Sequence, residues 1–168
     1  MNPFDTLLAE VHEALGRLSA KGVLPGDLPL ERISVEPPRE REHGDAATNA
    51  ALILAKPARM KPLAIAAALA EELATVEMLA RAEPAPPGFV NMTFTDAFVQ
   101  AQVPAVLAAG ADYGRSHAGQ GVRINVEFCS ANPTGSLHVG HGRGTVFGDA
   151  LAELLAFAGF DVTREYYI

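Results

Sequence analysis

Two hydrophobic periods alternate along the first part of this chain. Apolar residues recur every three or four positions in some segments, which predicts amphipathic helices at about 3–21, 46–55, 62–73 and 96–109. Elsewhere they occupy every second position, which predicts strands at 33–36, 76–83 and 89–94, the last two joined as a hairpin. Pro104 lies inside the fourth helix and is expected to kink it or split it. This mixture of elements predicts an α+β domain.

The pattern changes after a glycine-rich segment at 110–121. A strand is predicted at 122–129, a loop at 130–137, a helix at 139–158 and a second strand at 162–168. This order predicts a βαβ unit, in which the helix joins two parallel strands. We therefore place one domain at 1–115 and a second, α/β domain at 116–168. Two parallel strands and one helix leave a face of the sheet uncovered, so we expect the chain to be the front piece of a longer protein.

Composition and charge exclude several classes of protein. Apolar side chains make up 49% of the 168 residues and charged ones 20%, which indicates a folded globular chain. The 13 Lys and Arg against 20 Asp and Glu give a net charge of -7, so any contact with a nucleic acid has to be local. A single cysteine excludes an internal disulfide. No signal sequence or membrane-spanning stretch is visible, and we expect a cytoplasmic protein with no membrane partner.

Polar side chains are densest at 127–144, between the first strand and the helix of the βαβ unit. Open α/β folds bind ligands in this crevice. His138 and His141 stand at the start of the helix, beside free backbone N–H groups and the positive end of the helix dipole, which favours a phosphate. Neither common nucleotide loop fits, because no Gly-Lys-Ser/Thr occurs and Thr145 stands where a dinucleotide fingerprint needs glycine.

Two motifs in this segment resemble a known family. Residues 130–135 read Ser-Ala-Asn-Pro-Thr-Gly and residues 138–141 read His-Val-Gly-His. Together they resemble the first signature of class I aminoacyl-tRNA synthetases, in the form used by arginyl-tRNA synthetases. The flanks at 126–128 and 163–168 are also similar to that family, and looser similarities extend to 43–49 and 87–91. The resemblance implies an α+β additional domain followed by the first βαβ unit of a Rossmann-like class I catalytic domain.

The resemblance also implies an activity and a set of site residues. Such enzymes activate arginine with ATP as an adenylate and transfer it to tRNA(Arg) in translation. By resemblance, His138 and His141 are catalytic, and they bind ATP together with Gly140. The residues matched to arginine binding are Glu127, Ser130 and Asn132. Mg²⁺ is expected to accompany ATP, with no protein ligand assigned to it.

The segment before residue 115 resembles the amino-terminal additional domain of the same family, which contacts the D-loop of the tRNA. Phe89 and Asn91 match the family's aromatic and polar contact residues. Strand alternation is expected to turn them outward while Val90 and Met92 face the core. Pro86 stands where some members have a polar contact residue, so a third contact is not carried over.

The residues alone leave other interpretations open. The chain could be a stand-alone RNA-binding module without catalysis, or a small nucleotidylyltransferase, since His-x-Gly-His also occurs there. A zinc site formed by Cys129, His138 and His141 is conceivable. Glu127 could be a solvated strand residue, and Phe89 could simply cover apolar surface.

Several further expectations concern the chain in isolation. It has neither the second signature loop of class I synthetases, of Lys-Met-Ser-Lys-Ser type, nor an anticodon-binding domain, so we expect it to be inactive alone. An apolar patch around Val126, Phe128 and Phe147 is expected to favour self-association. Arg143 is expected to pair with a neighbouring carboxylate, Asp149 or Glu153. The residues expected to build the turn and cap before the second helix are His43, Asp45 and Asn49.

Overall fold

The first part of the chain is built on a four-stranded antiparallel sheet. The computed structural model describes residues 2–168. The strands are β1 (Val35–Glu36), β2 (Ala46–Thr48), β3 (Leu79–Ala85) and β4 (Phe89–Phe94), and they lie in the order β1-β2-β4-β3. The predicted hairpin is confirmed as β3 and β4, which pair from Leu79 opposite Phe94 to Ala85 opposite Phe89.

Four helices accompany this sheet: α1 (Pro3–Ala20), α2 (Ala50–Ala58), α3 (Pro62–Leu73) and α4 (Asp96–Ala109). Proline opens α1 and α3, where its missing N–H costs no hydrogen bond. Thr95 caps α4, since its Oγ1 accepts from Phe98 N at 3.2 Å. Helix α4 continues through Pro104, so the expected split does not occur.

The core of this unit lies where α1, α2 and α3 pack on one another and on the sheet. The buried positions of α1 and α3 recur at helical spacing, and β4 contributes the side chains between its outward-facing residues. The large side chains with under 3% exposure here are Leu7, Val11, Leu15, Leu54, Ile65, Leu69, Leu73, Val90 and Met92. Removal of these apolar groups from water is the main stabilising term.

An ion-pair cluster joins α1 to α3 at the edge of the core. Arg17 Nε lies 3.1 Å from Glu72 Oε2, and Lys21 Nζ pairs with the other carboxylate oxygen. The hydrogen bond from Lys21, followed by that from Arg17, lowers the pKa of the Glu72 carboxyl from its ordinary value. The cluster therefore favours the charged form of Glu72.

The second helix begins later than predicted. Ala46–Thr48 form β2 instead of a first helical turn, paired with β4 on one side and β1 on the other. The expected cap is also wrong, because Asp45 Oδ2 accepts from Phe94 N at 2.9 Å. Asn49 occupies the N-cap position without capping, and its side chain bonds Ser34 N at 2.9 Å and Arg32 O at 3.3 Å. Both side chains therefore form hydrogen bonds with the backbone of other strands and loops instead of capping α2.

The second part of the chain is the predicted βαβ unit. Strands β5 (Arg123–Cys129) and β6 (Asp161–Tyr166) are parallel, and α5 (Val139–Phe157) packs against them. The helix approaches β5 closely at Gly148, where an added Cβ would lie 2.7 Å from Phe128 Cα. Gly159 follows α5 with φ of +90°, a left-handed conformation that glycine adopts without strain.

The chain divides after Gly110 into two compact units, at the start of the glycine-rich segment 110–121. The first unit is the α+β domain and the second is the opening of the α/β domain. The domain limits 1–115 and 116–168 stay a prediction. Across residues 2–168, no helix is both long enough and apolar enough to cross a membrane.

Candidate functional site

A small pocket in the second unit lies between the end of β5 and the first turn of α5. Its volume is about 190 Å³. Four of the residues predicted for this site line it: Glu127, Ser130, Gly140 and His141. The remaining lining residues are Phe128, Cys129, Ala131, Gly144 and Thr145. Asn132 and His138 are not among the lining residues, although both lie in the exposed segment that borders the pocket.

The two histidines cap the helix reciprocally. His138 is the N-cap residue, and its Nδ1 accepts from Gly140 N at 3.1 Å. In return, His138 N donates to His141 Nδ1 at 3.3 Å. The two rings stack with centroids 3.7 Å apart and planes at 22°. Since each Nδ1 is an acceptor, the neutral rings carry their proton on Nε2, which leaves two Nε2–H donors.

Gly140 is required by this arrangement. A Cβ at that position would lie 2.9 Å from His138 Cε1 and 3.0 Å from His138 Nδ1. By contrast, a Cβ on Gly142 or Gly144, in the same helical turn, would meet nothing within 4 Å. The absence of a side chain at residue 140 therefore lets the His138 ring fold back over the helix terminus.

The donors at this helix terminus suit an anion. Four N–H groups at this end have no partner within the helix. Those of His138 and Gly140 are taken by the two Nδ1 atoms, which leaves those of Val139 and His141 free. The helix dipole and two imidazole donors add to the attraction for a phosphate. These N–H donors are of the kind that would bind the phosphates of ATP. The pocket offers little to Mg²⁺, because Glu127 is the only carboxylate among the described residues that line it.

Glu127 lies on an exposed strand face. Along β5, Ile124, Val126 and Phe128 are half-buried, whereas Glu127 and its neighbours Arg123 and Asn125 are exposed. Its register partner on β6 is Glu165, also exposed, and paired residues of neighbouring strands share a face. Two carboxylates on one face create a negative potential that a cation would relieve.

A zinc site at this pocket is not supported by the side chains. Cys129 is 5% exposed and packed at the end of β5. Within residues 2–168, the one group of three ligating side chains with atoms within 4.8 Å of one another is Glu40, Glu42 and His43, in the other unit. Cys129 is therefore a small packed side chain at the pocket wall.

The predicted partners of Arg143 were wrong. Arg164 of β6 takes both carboxylates, with its Nε 3.3 Å from Asp149 Oδ1 and its Nη2 on Glu153. Arg143 is exposed and forms no ion pair with any described residue. Arg143 was the predicted partner because it lies on the same helix as Asp149 and Glu153. Strand β6 runs beside α5, however, and brings Arg164 to the same carboxylates.

A larger pocket, of about 780 Å³, lies in the first unit. One wall is the segment 34–40 with His43, and another is the β3–β4 hairpin with Phe89 and Asn91. Phe89 is 36% exposed and Asn91 half-buried, whereas Val90 and Met92 are buried, which is the alternation expected for this strand. The sequence indicated Phe89 and Asn91 but not the pocket, because its other walls come from segments distant along the chain.

At the tip of the hairpin, the backbone of Gly88 lies close to the side chains of Pro62 and Leu52. A Cβ on Gly88 would lie 2.5 Å from Pro62 Cβ and 3.0 Å from Leu52 Cδ2. Leu52, on α2, and Ile53 form a further wall of the pocket. Gly88 therefore sets how closely the residue that follows it, Phe89, approaches α2.

Two family models match the chain. The model described as the arginyl tRNA synthetase N terminal domain matches residues 5–94. The model described as the catalytic domain of class I (R) tRNA synthetases matches residues 102–168. The two matched ranges correspond in order to the α+β unit and the βαβ unit.

Curated relatives and solved structures agree with these matches. The chain is 55% identical over 168 residues to the arginine–tRNA ligase of Ruegeria pomeroyi and 56% identical to that of Paracoccus denitrificans. It spans 29% of the length of each. Arginyl-tRNA synthetase of Thermus thermophilus is similar in structure, with a TM-score of 0.64 at 28% identity, over 96% of this chain and 24% of that one. The Plasmodium falciparum enzyme shares the fold at 14% identity, with a TM-score of 0.69 over 97% of this chain and 30% of that one.

Proposed function

The chain belongs to the arginyl-tRNA synthetase family, and from this we propose that it supplies the ATP, arginine and tRNA contacts of an arginine–tRNA ligase. In that reaction the carboxylate of arginine attacks the α-phosphate of ATP, pyrophosphate leaves, and the arginyl group passes to the tRNA. The attacking group is already an anion, so catalysis consists of positioning and charge stabilisation. A role in translation implies a cytoplasmic location.

The reciprocal capping of His138 and His141 is the observation that carries the proposal for ATP. It leaves two Nε2–H donors beside the free N–H groups of the α5 terminus. We assign both histidines to the phosphates, with Gly140 leaving room for the nucleotide. Mg²⁺, when bound with ATP, would supply further charge neutralisation, and no protein ligand is assigned to it.

Arginine is assigned to the exposed face of β5 and the loop after it. Glu127 and Glu165 concentrate negative charge on that face, and a guanidinium is the planar cation that a carboxylate binds through two parallel hydrogen bonds. Ser130 lines the same pocket as Glu127, and Asn132 follows in the same loop. These three residues form the proposed arginine site.

The first unit is assigned to the tRNA, at its D-loop. Phe89 and Asn91 lie on the wall of the larger pocket, where an unpaired base could stack on the ring and bond the amide. We expect Phe89→Ala to weaken tRNA binding by the free energy of stacking one base on an aromatic ring, about 1–3 kcal/mol.

The test of the activity uses a hybrid ligase, a complete arginine–tRNA ligase of a relative in which this chain replaces the corresponding residues. His138→Ala or His141→Ala should slow arginine-dependent pyrophosphate exchange by about a hundred- to a thousandfold, the usual effect of removing one stabilising donor. An unchanged exchange rate would remove both residues from the mechanism. Binding of tRNA without charging by the hybrid ligase would favour the RNA-binding module instead.

A further inference from the structure

Cations of the first unit are distributed unevenly. Arg17 and Lys21 are paired with Glu72, and Arg81 lies 3.5 Å from Glu83. Within the described residues of this unit, the remaining cations form no ion pair; they are Arg32, Arg39, Arg41, Lys56, Arg59 and Lys61. All of them fall within residues 32–61, the stretch that builds most of the wall of the larger pocket.

One of these cations lines the pocket, and two others lie on segments next to its walls. Arg39 is one of its lining residues. Lys56 is exposed and lies one helical turn beyond Leu52 and Ile53, on the same side of α2. Lys61, also exposed, directly precedes the proline against which the tip of the β3–β4 hairpin packs. We call Arg39, Lys56 and Lys61 the cationic rim.

Most of the other residues that line the pocket are apolar or negatively charged. The pocket is lined by Pro37, Pro38, Pro86 and Phe89 among other apolar groups, and by the carboxylates Glu36 and Glu40. Glu40 already faces His43, with 3.6 Å between His43 Nε2 and Glu40 Oε2. Carboxylates repel a phosphate but tolerate an uncharged base that stacks on an aromatic ring.

We propose that the cationic rim binds the phosphates on either side of the nucleotide whose base enters this pocket. The proposal rests on the proposed function, since it takes the partner to be an RNA loop. A chain with a net charge of -7 has no general attraction for RNA, so unpaired cations gathered at one pocket are what local binding requires. Contacts to phosphates would orient the loop, while Phe89 and Asn91 contact the base.

The test measures the salt dependence of tRNA(Arg) binding to the hybrid ligase. Each phosphate contact in a single strand contributes about 0.7 to the slope of log K against log salt concentration. The triple variant Arg39→Gln/Lys56→Gln/Lys61→Gln should lower that slope by about 2, which makes the affinity ratio between 50 and 200 mM KCl about twentyfold smaller. All three side chains are exposed, so the thermal midpoint should stay unchanged.

The single variants Lys56→Gln and Lys61→Gln should each lower the slope by about 0.7, and Lys21→Gln is their matched control. It removes the same charge from a lysine that already has a carboxylate partner, and it should leave the slope unchanged.

A tRNA with one abasic D-loop nucleotide distinguishes the contribution of the base from that of the phosphates. Its affinity should fall, while the slope of log K against log salt concentration should stay the same. An unaltered slope in the triple variant, with aminoacylation intact, would overturn the proposed rim. A lowered slope without any aminoacylation would support the rim and contradict the ligase assignment.

Discussion

At the scale of single residues, the proposed ATP site depends on how tightly two imidazoles fold over one helix terminus. Sequence spacing was enough to place His138 and His141 together at the start of α5. It could not show that the His138 ring accepts a hydrogen bond from Gly140 N and the His141 ring one from His138 N. That pattern fixes which nitrogen donates, and it depends on the missing side chain at residue 140.

Gly140→Ala should therefore reduce activity without unfolding the helix. The new Cβ would push the His138 ring from its position, and misplacement of a group by about 1 Å can cost roughly a hundredfold in rate. Alanine is otherwise the better helix former, by about 1 kcal/mol. Pyrophosphate exchange by the hybrid ligase is the measurement. Gly142→Ala is the control, because nothing lies within 4 Å of its Cβ, and equal activity of the two variants would contradict the steric argument.

At the scale of elements, long periodic segments were predictable and short ones were not. Helices α1, α3 and α5 and the β3–β4 hairpin follow from apolar spacing, because each contains enough residues to show its period. Ala46–Thr48 has too few, and its alanines are typical of a helix; pairing with β4 and β1 decides the outcome. The pocket of the first unit was likewise unpredictable, since its walls come from segments distant along the chain: 34–43, α2 and the β3–β4 hairpin.

Gly88→Ala tests how the hairpin β3–β4 positions Phe89. The Cβ would collide with Pro62 and Leu52, so the tip must move away from α2. We expect the KM for tRNA to rise by about tenfold, which is about 1.4 kcal/mol and within the range for one stacked base. The KM values for ATP and arginine should stay the same. Gly26→Ala, where nothing lies within 4 Å, is the matched control. An equal rise in all three KM values would indicate a general loss of structure.

The ion-pair cluster between α1 and α3 makes a prediction about pH. Because the pKa of Glu72 is lower in the folded chain than its ordinary value of 4.5, the stability it contributes is present above that pH and is lost as the pH falls through the folded pKa. Glu72→Gln should therefore lower stability near neutral pH and flatten its decline below about pH 4.5. Urea unfolding of the 168-residue chain from pH 7 to 3 measures this. Parallel curves for the two proteins would show that Glu72 carries no linked stability.

At the scale of the whole molecule, the two units differ in how completely they bury their apolar surface. The first encloses a core between helices and sheet, whereas α5 covers one face of only two strands. Phe147 is 71% exposed, and Val146 and Leu154 are exposed beside it on the same helix. Of the predicted patch, Val126 and Phe128 are half-buried, so its exposed part lies chiefly on the helix.

Self-association of the isolated chain stays a prediction, and this helix face is where it should occur. Removal of exposed apolar side chains from water stabilises a complex by roughly 25 cal/mol per Å². Binding of a second copy to this face should therefore be favourable at high concentration. Sedimentation velocity should show dimers or larger species that increase with concentration. Phe147→Ser/Leu154→Ser should restore the monomer, whereas Val99→Ser/Val103→Ser, on the exposed side of α4, is the matched control and should not. A wild-type chain that stays monomeric at the highest concentration would show that this surface is too small to hold two copies together.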